Sequence, residues 1–361
     1  MRPRELAAIG AGVVLIALFH WLLPHVLDAY LLRVVLDVGI AVTMAVSLNL
    51  VNGVTGQFSI GHAGFMALGG YVAASVTVLL PRALGFATAG AALAAGYGFY
   101  AYALFSVALV AGGLAAAGAG WVVGLPSLRL RGDYLAIVTL GFGEIIRVTL
   151  LNINAVGGAR GFTGIPDLAG FFPIALVALV TVLVSKRLVG STHGRALLAV
   201  REDEIAAEAV GVPVARYKVK AFVMSSFFAG VGGALFAHHQ AYLNPASFTW
   251  VESIKYVAMV VLGGQGSISG VLVAAVMLAV MPEALRFVKD YFDALRQTYA
   301  AGGSPVPALV QFLAEKDLRM VLYSLLLVLL MLVRPQGILG TREFWSWKST
   351  APPARPRKAG A

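Results

Sequence analysis

Cysteine is absent from the 361 residues, which excludes disulfides and thiolate metal sites and leaves the redox compartment undetermined. Charge is scarce as well. Asp, Glu, Lys and Arg make up 12% of the chain against 59% hydrophobic residues, where a soluble domain carries about 25% charged residues. With 41 glycines and a mean hydropathy of +0.85, the composition suits a chain whose solvent is mostly lipid. No Gly-x-x-x-x-Gly-Lys-Ser/Thr phosphate loop occurs, and the nearest glycine-rich stretch, Gly263 to Gly270, has no lysine to meet a phosphate. The chain is therefore expected to be no enzyme, and any ATP hydrolysis belongs to another chain. Six histidines, His20, His25, His62, His193, His238 and His239, lack the i, i+4 spacing of a helical metal pair, so neither metal nor other cofactor is expected.

What is present is a series of long apolar runs. A helix needs about 20 apolar residues to cross the hydrocarbon core. Runs stand near 6–23, 30–52, 58–80, 102–125, 134–152, 171–186, 219–240, 253–264, 268–287 and 319–334. The run at 253–264 is too short to span and ends in Gly263-Gly264-Gln265-Gly266, which reads as a broken or re-entrant helix. The expected fold is thus all-α, a polytopic membrane protein of about ten spans. Its membrane body covers 1–340, with a loop at 186–220, an excursion at 288–318 and a basic tail at 341–361. The first run lacks a small-residue cleavage site and reads as an uncleaved span.

The net charge of +10 does not point to nucleic acid, because the basic residues sit in short loops between apolar runs. Arg2 and Arg4, Arg129 and Arg131, seven Lys/Arg within 186–220 and six from Arg334 onward all fall on one side if the chain crosses ten times. By the positive-inside tendency that side, with both termini, is cytoplasmic. The Gly/Ala-rich stretch 85–101 would break this pattern as a span, and reads as an interfacial or re-entrant helix.

Small residues recur every four positions at Ala108, Gly112, Ala116, Gly120 and Gly124, and at Ser226, Gly230 and Ala234. Such stripes let helix backbones approach in lipid and read as packing faces. Ionisable residues in or beside the spans come three or four apart: Arg33 with Asp37, Glu144 with Arg147, Glu252 with Lys255, Glu283 with Arg286. Burying a charge at mid-bilayer is costly, so a same-face partner is expected. Glu144, near the middle of its span, is the candidate exception to structural pairing.

Two segments carry more information. The loop from Ser191 to Pro213 is amphipathic, with Leu198, Ile205, Ala206 and Ala209 among Arg201, Glu202, Asp203, Glu204 and Glu208. Gly211 and Pro213 are expected to end its helix, with a positive φ at Gly211. A surface helix with an apolar face fits a docking element for a partner or a helix lying in the headgroups. The other segment is Val51-Asn-Gly-Val-Thr-Gly-Gln57-Phe-Ser59-Ile-Gly61-His62, whose Gly-Gln-x-Ser-Ile core returns at Gly264-Gln265-Gly-Ser267-Ile. Irregular backbone at membrane depth is tolerated where it is buried in protein or lines a watery cavity, and paired interruptions point to a transport path. Asn49, Gln57, Ser59, His62, Gln265 and Ser267 are the candidate pathway residues.

At these residues the chain resembles the LivM type of permease from branched-chain amino-acid importers of the ATP-binding-cassette class. The resemblance rests on Ser47-Leu-Asn49-Leu to Gly64, Leu128-Arg-Leu-Arg-Gly-Asp-Tyr to Glu144, Gly161-Phe-Thr-Gly164-Ile-Pro, Gly194-Arg-Ala to Gly211, and Val260 to Gly270. It implies a bacterial inner-membrane complex with a second, related permease, two cytoplasmic ATPase subunits, a periplasmic substrate-binding protein and an amino-acid substrate. It also implies that 194–213 docks the ATPases through Gly194, Arg195, Arg201, Glu204, Glu208, Ala209 and Gly211. Relatives of this architecture that carry urea or short amides, and a self-sufficient secondary transporter, are the competing readings. The stretches 85–101 and 288–318 depart from the family pattern.

Overall fold

The computed structural model describes residues 3–127, 133–301, 311, 324–325, 327–329, 332–334, 336–340 and 342–344. Arg129 and Arg131, most of the 288–318 excursion beyond 301, most of the expected 319–334 span and nearly all of the basic tail lie outside the described residues. Every assigned element among the described residues is helical. Seven helical stretches are long and apolar enough to cross a membrane: 29–54, 62–83, 98–125, 134–152, 171–190, 214–240 and 268–299.

The chain opens with α1 (Pro3–Val26) and α2 (Ala29–Asn49), which continues through one π-helical turn, Leu50–Val54. An irregular stretch leads to α3 (His62–Ala74), which runs through a second π-turn, Ser75–Leu79, into α4 (Leu80–Ala83). Next come α5 (Ala89–Ala94), α6 (Gly98–Ser127), α7 (Asp133–Asn152) and α8 (Phe171–Gly190). The surface helices α9 (Thr192–Glu202) and α10 (Glu204–Ala209) precede α11 (Val214–Gln240), α12 (Trp250–Gly263) and α13 (Ile268–Ala301). At about 1.5 Å per residue, α5 is far too short to cross, and α12 reaches only about 21 Å of the roughly 30 Å core. The 85–101 stretch is therefore α5 and the start of α6. The described part of the expected excursion, 288–301, is the unbroken continuation of α13.

Side-chain and backbone contacts fix helix directions. α11 runs against α2, since Ser225 Oγ donates to Ser47 O, Gly232 lies against Met44, and His239 approaches Asp37. It runs with α3, where Gly69 meets Gly230 and Thr77 meets His238, and against α6, where Gly113 meets Val231 and Gly124 meets Val219. α7 runs with α3, because Gly61 lies against Thr139 and Gly64 against Gly143. One face of the bundle thus gathers the 55–61 stretch, α9, α10 and residues 264–267. The opposite face gathers α5, the 153–170 loop and residues 241–249, the last two joined by backbone bonds between Phe162 and Leu243.

The core lies where α3, α6 and α11 cross, and glycine is what permits it. A Cβ at Gly69 would fall on the backbone of Gly230, one at Gly112 on the carbonyl of Gly69, and one at Gly233 on the carbonyl of Met66. The two small-residue stripes face each other, with Ala108, Ala116 and Ala234 fully buried. In lipid no hydrophobic incentive drives helices together, so this close approach and its dispersion contacts hold the bundle.

Candidate functional site

The two Gly-Gln-x-Ser-Ile interruptions, over two hundred residues apart in sequence, meet. Asn49 Oδ1 accepts from Gly266 N at 2.9 Å, and its Nδ2 donates to Ser267 O at 3.4 Å. Gly53 sits so close to Gly266 N that no side chain fits between. The first interruption is braced by Asn52, whose amide bonds both Ser59 N (3.1 Å) and Ser59 O (3.2 Å), and by Thr139 of α7, which accepts from Ile60 N. His62 Nε2 lies 2.9 Å from Ser47 Oγ, and Ala63 N donates to Ser253 Oγ of α12. The second is closed by Arg342 and Glu343, far along the chain. The Glu343 carboxylate accepts from Ile268 N, Ser269 N and Ser269 Oγ at the start of α13, and Ser267 Oγ donates to Arg342 O. A carboxylate on the first amides of a helix matches its dipole.

Asn49, Ser59, His62 and Ser267 are thus committed to holding the interruptions in shape. Gln265 is exposed, its carbonyl turned to a neighbour described below. Gln57 differs from all of them. It is buried, yet neither Oε1 nor Nε2 has a hydrogen-bond partner among the described residues. A buried amide of this kind costs about 1–3 kcal/mol for each unmet group.

Arg201 of α9 reaches into both interruptions. Its Nη1 donates to Gly53 O at 2.8 Å and to Gln265 O at 3.3 Å. Its aliphatic stem lies on Gly56, and its guanidinium occupies the space a side chain at Gly266 would need. Both glycines have positive φ, +71° and +90°. There they are required twice, for the backbone conformation and for the approach of the arginine.

The expected single surface helix is two. Asp203 leaves helical geometry (φ −157°, ψ 113°), and its carboxylate accepts from Ile205 N and Ala206 N, capping α10. An Asp side chain that bonds the backbone two and three residues on competes with helix continuation, and here it wins. α9 buries Leu197 and Val200 against the bundle, whereas α10 exposes Ile205, Glu208, Ala209 and Val210. Glu204 is bound to the buried Lys218 of α11 at 2.5 Å, fixing α10 in place. Gly194 is buried at the α8–α9 turn, where a Cβ would meet the carbonyls of Leu188 and Val189, and its amide is capped by Ser191. Arg195 is exposed, bonding Thr192. Gly211 has φ +85°, as its place at the helix end predicts. Of the residues singled out in this loop, Arg195, Glu208, Ala209 and Gly211 face outward, while Gly194, Arg201 and Glu204 face the bundle.

Three of the four expected charge pairs form: Glu144–Arg147 at 2.7 Å, Glu252–Lys255 at 3.4 Å and Glu283–Arg286 at 3.6 Å. Glu144, the candidate exception, is paired. Asp37 turns instead to His239 of α11 at 3.6 Å, because α2 and α11 cross there while Arg33, a turn away, is exposed. Sequence reasoning missed Asn52, Thr139 and Glu343. Asn52 lay within the glycine-dense stretch and was open to notice, but nothing local marks the other two.

Residues 30–332 match the family described as branched-chain amino acid transport system / permease component. The chain is 35% identical over 335 residues to the high-affinity branched-chain amino acid transport system permease protein LivM of Salmonella typhimurium and of Escherichia coli, covering 83% of this chain and 68% of each relative. It is 26% identical over 237 residues to a probable LivM permease of Methanocaldococcus jannaschii, 61% of this chain and 65% of that one. No solved structure matches it significantly. A bundle of apolar spans around paired interruptions, matched over most of its length to these proteins, belongs to the permease components of branched-chain amino acid transport systems.

Proposed function

We propose that this permease forms half of the translocation path of an inner-membrane importer for branched-chain or related amino acids, with a second, related permease as the other half. Two cytoplasmic ATPases dock on α9 and α10, and a periplasmic binding protein delivers substrate to the opposite face. Both chain termini lie on the cytoplasmic side. Above all, Arg201 supports this reading. It ties α9 to the two interruptions in the spans, so a force on α9 reaches both of them through this side chain. Glu144 and Glu283, each paired with an arginine, are not the free carboxylates that a proton-driven carrier needs on its path.

The exposed patch of α10 tests the docking. Ile205 is 69% and Val210 79% exposed, beside Glu208. Ile205→Glu combined with Glu208→Lys should leave the chain in the membrane but lower retention of the ATPases and substrate-stimulated hydrolysis about tenfold, a loss of about 1.4 kcal/mol or more in binding. Gly211→Leu, strained at φ +85°, should uncouple hydrolysis from transport by re-aiming α10. Wild-type coupling in both variants places the docking surface elsewhere.

A further inference from the structure

The face opposite α9 holds a cavity of about 530 Å³ between α2, α11, α12 and α13, floored by the start of the short helix α12. Its wall is divided by chemistry. Ile40, Met66, Phe236 and Leu278 form an apolar side, while Asp37, Glu252, Glu283 and Lys255 bring opposite charges to the same space. Glu283 is already held by the Tyr30 hydroxyl and Arg286. The other groups are loosely engaged. Lys255 is 42% exposed and only 3.4 Å from Glu252, and Asp37 is 52% exposed and 3.6 Å from His239. Charges at such distances, half solvated, exchange partners at little cost. Most of α12 then separates the cavity from the Gly264–Gly266 interruption on the far side of the helix.

We propose that this cavity is a substrate site within the permease. It takes an apolar α-amino acid as the zwitterion, with the carboxylate on Lys255, the ammonium between Asp37 and Glu252, and the side chain on the apolar wall. The proposal rests on the amino-acid importer reading above and adds the place where the substrate waits before α12 and the interruptions admit it. The size lies within the usual range of small-molecule pockets, about 300–1,000 Å³. A weak site is what passage requires, since a substrate held tightly cannot leave.

The test uses the complete complex of both permeases and ATPases, without binding protein. Equilibrium dialysis with labelled L-leucine is run against two competitors: leucinamide, which lacks the carboxylate, and 4-methylpentanoate, which lacks the ammonium. Leucine should bind in the millimolar range and each competitor at least tenfold more weakly. Lys255→Met should weaken leucine about tenfold and remove its advantage over leucinamide. Asp37→Asn should narrow its advantage over 4-methylpentanoate. Both side chains are about half exposed, and retention of the partner chains on size exclusion confirms that the variants assemble. If the complex transports leucine with binding protein and ATP, yet both variants keep wild-type leucine affinity and selectivity, the cavity is not the site. If the wild-type complex neither transports nor binds any branched-chain amino acid, the substrate reading falls and this proposal with it.

Discussion

Arg201→Ala is expected to stop coupled transport almost entirely while the chain still inserts and assembles. Two hydrogen bonds from a charged donor end on Gly53 O and Gln265 O. Bonds of this kind contribute about 1.5–3 kcal/mol each at most, and less here because the side chain is partly exposed. Neither carbonyl is the sole support of its segment, since Asn49 and Asn52 brace the same interruptions. Alanine therefore leaves the fold standing and removes the link from α9 to the two interruptions. Transport should fall at least a hundredfold, with ATP hydrolysis no longer raised by substrate-loaded binding protein. Arg201→Lys retains the charge but offers a single point contact in place of the planar fork, so it should recover only part of the coupling. A partial rescue by lysine separates a transmitting role from a purely structural one. Wild-type coupling in Arg201→Ala would remove the link from the account.

The largest structural effect is expected at the crossing of α3, α6 and α11. Gly69→Val places its side chain on the backbone of Gly230, and Gly230→Leu collides with Ala116 and the carbonyl of Gly112. Flexible side chains could yield by a few tenths of an ångström, but here backbone is the obstacle, and whole helices must separate. Overpacking of this kind costs about 3 kcal/mol or more, and it also loses the dispersion contacts of the seam. Neither variant should accumulate as folded protein in the membrane, measured by detergent extraction and monodispersity. Gly118→Ala is the internal control: it lies on the same helix as Gly112 with nothing within 4 Å of an added Cβ, and it should match the wild type. Normal yields from Gly69→Val would refute the close packing.

These two outcomes rest on features of different legibility. The spans could be read from hydropathy, because lipid demands long apolar helices and leaves few alternatives. The small-residue stripes were equally open to reading, since their four-residue period is the signature of a close crossing. Gly211 announced its positive φ by standing between a helix and Pro213. The division of the surface helix at Asp203 was less visible: the residues are good helix formers on either side, and only the aspartate's bond to its own backbone decides the matter. Arg201 was singled out as a docking residue, but its reach to Gly53 and Gln265 spans 148 and 64 residues of sequence. Contacts so distant leave no periodic trace. Glu343 lies hidden for the same reason, in an unremarkable stretch far along the chain, and the turn of Asp37 to His239 depended on which helix crosses α2. Local chemistry therefore located the interruptions, and the tertiary fold alone revealed what holds them.

The central claim is that this chain supplies a path and draws its energy from ATPases on other chains. The most direct measurement is uptake of labelled L-leucine into proteoliposomes holding the chain alone, the chain with its sister permease, or the full complex with ATPases and binding protein, each with and without enclosed ATP. The account predicts accumulation against a gradient only in the full complex with ATP, and none in the others even when a proton gradient is imposed. Concentrative uptake by the chain alone, or by the two permeases without the ATPases, would contradict it.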